Sequence, residues 1–203
     1  MVEAEVFACG FEHVVAWQRL IHDRFIANSG SIDANWDWPA YYLGAHLSEQ
    51  SLGRQAIAFQ LRVADAKGDA VPVSQAILTL PYVFPGDVRQ RCVFIWFAAA
   101  APAKALQSFG IDTRFAVIAP ILDTAIQLSL SHGLEGRIGL HAALGTSRQQ
   151  SDQLADKYRA HGLQQRVKVA RYLRFPFRKD DDRFFYFDQV HALNFARTQD
   201  DLR

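Results

Sequence analysis

Cys92-Val-Phe-Ile-Trp-Phe-Ala-Ala-Ala100 is the stretch on which the reading of the fold turns. Its β-branched and aromatic residues favour an extended backbone. At the two-residue period of a strand, Val93, Ile95, Phe97 and Ala99 fall on one side, and Phe94, Trp96, Ala98 and Ala100 on the other. Both sides are apolar. A strand of that kind lies inside a sheet and is covered on both faces, so helices are expected on both faces of the sheet.

Strand patterns precede this segment. Val2 to Phe7 alternates apolar and acidic residues and reads as a short, half-buried strand. Ala56 to Val63 and Val71 to Val83 read as two more, closed by turns at Ala66–Asp69 and Pro85–Asp87. Between the first and second strands, Val14, Trp17, Ile21 and Phe25 recur at helical spacing, with Leu20 added to that face. Asp37 and Pro39 open a second helix. The loop between those helices, Ser31 to Trp38, is polar and aromatic together, as in a binding loop or one that only packs its tryptophans.

After the central strand, Ile118, Ile121, Leu122, Ala125, Leu128 and Ser129 form a long helical face that stops at His132-Gly133. Arg137 to Ala142 is a short strand. Ser147 to Gln150 matches a capping box, in which Ser147 accepts the amide of Gln150 and Gln150 bonds back. That helix runs to about His161 and Gly162. Val167 to Phe175 and Phe184 to Asp188 are the last strands, joined by the charged turn Arg178–Asp182. The order β-α-α-β-β-β-α-β-α-β-β predicts an α/β (α+β) domain with a mixed, mostly antiparallel sheet of about seven strands. A single domain is expected over 1–195, with a loose tail over 196–203.

The chain has 203 residues, half of them hydrophobic, which is ample for a core and excludes whole-chain disorder. The net charge of +1 argues against a strongly basic nucleic-acid binder, so no nucleic-acid partner is expected. Cys9 and Cys92 are the only cysteines, which excludes a disulfide framework. The seven histidines show no metal-ligand spacing, so no metal is expected. No uncharged run reaches the roughly 20 residues of a membrane helix, and the N-terminus lacks signal-peptide features. No membrane partner and a cytoplasmic location are the expectations.

The element order resembles the GNAT superfamily of N-acetyltransferases, and two segments add sequence resemblance. Leu122-Asp-Thr-Ala-Ile126 with Gly133-Leu-Glu-Gly-Arg137-Ile-Gly-Leu140 looks like the family's long helix, glycine stop and following strand. Ser151-x-x-Leu154-x-x-x-Tyr158-x-x-x-Gly162-Leu163 is similar to its closing pattern, in which Asn, Ala, Tyr, Gly and Phe stand at those offsets. The resemblance implies transfer of an acyl group from acetyl-CoA or another acyl-CoA to a small-molecule or peptide amine, with a homodimer allowed. It also implies a cleft where the central strand splays from its parallel neighbour. There Phe97, Ala98, Ala99 and Ala101 would present backbone to the pantetheine arm, beside Ser151.

The family's pyrophosphate loop, Gln/Arg-x-x-Gly-x-Gly/Ala, is matched by Gln107 and Gly110, but Asp112 stands where a small residue is usual. An acid there repels an anion, and Asp112 reads equally as a helix N-cap. By the family match, Tyr158 is the general acid that protonates the departing thiolate. No Asp or Glu lies on the central strand. His141, on the facing strand, is therefore the candidate base, and Asp33, Asp37 and His46 are candidates for orienting the amine. Tyr82, Phe84, Phe94 and Trp96 would line a deeper acyl pocket or simply fill a core. Asp112 also supports a second reading: a GNAT-fold binding or regulatory protein that no longer performs transfer.

Overall fold

The structure is a computed structural model that describes residues 4–111, 115–166 and 183–200. Its elements in chain order begin with β1 (Ala4–Cys9), α1 (Phe11–Trp17), a π-helical segment (Gln18–Ile26) and α2 (Trp38–Ser51). Next come β2 (Gln55–Ala64), β3 (Ala70–Val83), β4 (Arg91–Ala100), α3 (Ala103–Ser108) and α4 (Ile118–Ser131). The last are β5 (Ile138–His141), α5 (Arg148–Ala160), β6 (Gln164–Gln165), β7 (Phe184–Phe187) and α6 (Gln189–Arg197). The strands form one seven-stranded sheet in the order β1-β2-β3-β4-β5-β7-β6. By packing, the chain forms two compact units, Met1–Leu78 with Phe97–Ile121 and Thr79–Trp96 with Leu122–Arg203.

In the first unit, β1 runs antiparallel to β2, from Ala4↔Val63 to Cys9↔Ala58. Phe7 and Cys9 are the partly covered side chains of β1, whereas Val6 is exposed. The inward face is thus the opposite of the one the Val/Glu alternation suggests.

The helix expected over Val14–Phe25 is α-helical only as far as Trp17. Ala27 then donates to the carbonyl of His22, five residues back, across 2.9 Å. That wider turn spaces the buried side chains as Trp17, Ile21 and Ile26. It leaves Phe25 half-buried and Leu20 exposed, although a 3.6-residue period puts both inside.

In the second unit, β4 and β5 pair in parallel through Val93↔Ile138, Phe94↔Gly139 and Ile95↔Leu140. β7 pairs antiparallel with β5, from Ile138↔Phe187 to His141↔Phe184, and with β6 through Gln164↔Tyr186 and Gln165↔Phe185. Val93, Phe94, Ile95 and Trp96 are all buried, as a two-sided strand requires. Ser147 caps α5 by accepting the amide of Gln150, but Gln150 Oε1 takes the amide and hydroxyl of Thr146 instead of reaching back to Ser147. α6 spans Gln189–Arg197 and so reaches into the stretch 196–203 expected as a loose tail. Asp188 opens it, accepting the amide of His191 across 2.9 Å. The strand expected over Val167–Phe175 and the turn Arg178–Asp182 lie outside the described residues.

One glycine in β5 is set by sheet packing. A Cβ on Gly139 would stand 2.7 Å from Pro85 Cδ and 2.9 Å from Phe94 Cδ2. Gly139→Ala is therefore expected to destabilise the fold by about 1–3 kcal/mol through overpacking. A lowered midpoint in urea unfolding checks this, and an unchanged midpoint contradicts it.

Candidate functional site

The proposed proton donor sits on α5. Tyr158 is half-buried, with its ring 5.5 Å from that of Phe185. α5 is tied to the sheet through Arg183. Its guanidinium donates to the carbonyls of Ala142 at 3.0 Å, Ala143 at 3.3 Å and Ser151 at 2.6 Å. Ser151 is buried and has local duties of its own, since its hydroxyl accepts the Gly145 amide and donates to the Ser147 carbonyl. It fixes the β5–α5 connection. Arg183 escaped the sequence reading because its acceptors are backbone carbonyls more than 30 residues away, which leave no pattern in the sequence.

His141 is also buried, its ring set edge-on to Phe184 at 4.8 Å. Consecutive residues of a strand point to opposite faces. Phe184 and Phe185 therefore lie on opposite faces of β7, and with them His141 and Tyr158. The structure does not bring this acid and base candidate together, because the pleat sends them apart.

In the other unit, Phe97 stacks on Tyr41 with ring centroids 4.1 Å apart and an 11° interplanar angle. It also meets the edges of Trp36 at 5.2 Å and Trp38 at 6.3 Å. The loop Ser31–Trp38 thus contributes its tryptophans to an aromatic cluster against the end of β4. Asp33 accepts the Ser31 hydroxyl, and Asp37 caps α2 by accepting the Ala40 amide. His46 Nδ1 lies 2.9 Å from the Tyr42 carbonyl, and its ring stacks on Tyr42. The three residues expected to orient an amine therefore have local partners.

The Val93 amide donates to Arg137, just before β5, at 3.1 Å, and the Ala101 amide, just past the end of β4, donates to Val73 of β3 at 2.9 Å. Ala98 is half-buried and Ala99 buried. The Ala101 amide is already used within the sheet, which removes it as a donor to a ligand.

The expected pyrophosphate loop takes a different form. Gln107 lies in α3, and Gly110 ends that helix with φ +75°, donating its amide to the Gln107 carbonyl at 3.0 Å. Ile111 donates to Leu106, also at 3.0 Å. This pair of bonds is the Schellman closure of a helix C-terminus. Amides committed to it are not offered to a phosphate, and a helix C-terminus carries partial negative charge that opposes an anion. Gln107 and Gly110 thus do not form an anion cradle. α4 begins at Ile118, six residues past Asp112, which lies outside the described residues.

Both thiols resist ionisation. Burial pushes Cys9 up to about 11 and raises Cys92 as well. Among the described residues no group of His, Cys, Asp and Glu could hold a metal ion, and no helix is long and apolar enough to cross a membrane.

No protein-family model matches the sequence, and no curated protein matches it. Solved structures do match. FdhC, described as a nucleotide-linked sugar GNAT, is 12% identical with TM-score 0.57, covering 97% of this chain and 92% of its own. Spermidine N-acetyltransferase from Vibrio cholerae, in complex with CoA and spermine, is 13% identical with TM-score 0.51, covering 95% and 99%.

The chain has a GNAT fold.

A further GNAT-fold match is the AtaT toxin mutant bound to the C-terminus of the antitoxin AtaR and acetyl-CoA, 11% identical with TM-score 0.52, covering 96% and 99%. The exclusion of nucleic acid drawn from net charge does not stand. A similar structure is the KacTA–DNA complex, 11% identical with TM-score 0.47, covering 97% and 99%. At so low a score the likeness carries no argument about what this chain binds. Net charge sums over the whole surface and misses local patches, so a near-neutral GNAT-fold chain is not thereby barred from DNA.

The Arg183 anchor is expected to matter for stability. Arg183→Met removes charge-assisted bonds to three carbonyls and should cost about 1.5–3 kcal/mol. Guanidinium-chloride unfolding of the variant checks this, and an unchanged transition argues that the anchor is idle.

Proposed function

We propose that the chain is an N-acyltransferase that moves an acyl group from an acyl-CoA to an amine by direct attack. The observation that carries this reading is the placement of Tyr158. It lies on the helix that follows β5, anchored at Ser151 by Arg183, in a chain with the GNAT fold. The nucleophilic amine forms a C–N bond at the thioester carbonyl carbon, and the C–S bond breaks. The departing thiolate takes its proton from the Tyr158 hydroxyl, the amine gives up a proton to solvent, and solvent returns one to the Tyr158 phenolate. A free phenol ionises near 10 and a free thiol near 8.5, so at neutral pH the tyrosine still holds a proton for the leaving sulfur. The raised thiols of Cys9 and Cys92 favour direct attack over an acyl-cysteine intermediate. His141, on the face opposite Tyr158, has no part in this scheme.

For the co-substrate, the small side chains of Ala98 and Ala99 at the end of β4 suit close approach of a pantetheine arm. The Gln107–Gly110 segment does not suit its pyrophosphate. That misfit supports the second reading, a GNAT-fold binding or regulatory protein without transfer. Calorimetric titration with acetyl-CoA separates the two, since the enzyme reading requires binding and fails without it for acetyl- and longer acyl-CoA. Given binding, Tyr158→Phe should lower the rate of thiol release from acetyl-CoA, with a panel of primary amines, by about 100-fold or more. Its melting temperature should stay unchanged. A full rate in the variant removes Tyr158 from the chemistry.

A further inference from the structure

The π-helical segment carries a hydrogen-bonded assembly that grips the Ser31–Trp38 loop from both ends. Trp38 is the first residue of α2, and its amide has no acceptor within that helix. Trp38 is fully buried, so the amide cannot turn to water. Gln18 Oε1 accepts it at 3.0 Å from 20 residues away. The remaining donors of that first turn are also settled. Pro39 has none, the Ala40 amide goes to the Asp37 side chain, and the Tyr41 amide goes to the Asp37 carbonyl. At the other end of the grip, His22 Nε2 lies 2.8 Å from the Asp33 carbonyl.

The middle of the assembly fixes its own protonation. Because Gln18 Oε1 is committed to an N–H donor, its amide nitrogen must face the other way. That nitrogen donates to Asp23 Oδ1 and stands 3.0 Å from His22 Nδ1. An amide nitrogen can only donate, so Nδ1 must accept and the ring proton must sit on Nε2. From Nε2 it is donated to the Asp33 carbonyl. Every polar atom of Gln18 and His22 is thereby used. The π geometry makes this possible by placing residues i, i+4 and i+5 (Gln18, His22 and Asp23) within reach of one another.

We infer that Gln18 and His22 act as a clamp that holds the Ser31–Trp38 loop, and with it Trp36 and Trp38 against Phe97, with His22 in its neutral Nε2–H form.

Two measurements test the clamp without any activity. Long-range 15N–1H spectra of His22 at neutral pH should show the Nε2–H tautomer, and an Nδ1–H or cationic ring overturns the assignment. Gln18→Met should speed exchange of the Trp38 amide at least tenfold while Leu61 in β2 and Val73 in β3 keep their protection. Unchanged exchange at Trp38 in Gln18→Met, or equal loss at all three amides, overturns the clamp.

Discussion

Val93 donates its amide to Arg137 across 3.1 Å, and that bond opens the parallel ladder between β4 and β5 on which the rest of the architecture depends. Parallel neighbours cannot be joined by a tight turn and need a long crossover. The residues between them supply one, including the 14-residue helix α4. The same ladder presses Gly139 against Pro85 and Phe94, so the sequence of β5 is dictated by what β4 and its hairpin place beside it. β7 then pairs with the far side of β5 and decides, by its pleat, which face His141 and Tyr158 each occupy.

Helix ends govern the candidate site as much as the sheet does. The amides at an N-terminus are unpaired and attract anions, whereas those after a C-terminus are consumed by the closing turn. A glycine suits both settings, in a phosphate loop because it has no side chain and in a helix stop because it accepts positive φ. Gly110 therefore matches a loop motif in sequence and serves as a helix stop in three dimensions. Gly133 and Gly162 share the positive φ, and both stand where the sequence places helix stops. α3 is the element that reverses the meaning of Gly110. Six residues with no distinctive apolar period gave no sign of it.

Much of the sheet was legible because its strands carry strong local signals. The boundaries of β2, β3 and β4 fall within a residue of those read from the alternation, and Asp37 and Ser147 cap the helices they were read to cap. The π-helical segment was not legible. Trp17 and Ile21 fit a 3.6-residue period and a wider one alike, and only the packing of Ile26 in place of Phe25 distinguishes them. α6 was read as the end of a strand and a tail because Asp188 suits a turn as well as an N-cap. The candidate site was legible by residue type and not by arrangement. Tyr158 falls on its expected helix, and Asp33, Asp37 and His46 each commit one side-chain polar atom to a neighbour within a few residues.

The sequence by itself determined the elements whose cause is local: an apolar two-sided strand, capped helices, glycine stops and an order of elements that admits a mixed sheet. Tertiary structure decided what no local window contains. It chose the faces of His141 and Tyr158, the carbonyls that Arg183 serves and the Trp38 amide that Gln18 accepts. The physical reason is the reach of each interaction. Propensity, pattern and caps act within one or two turns of chain, while pairing side and side-chain partnership are fixed only when segments 20 to 40 residues apart meet.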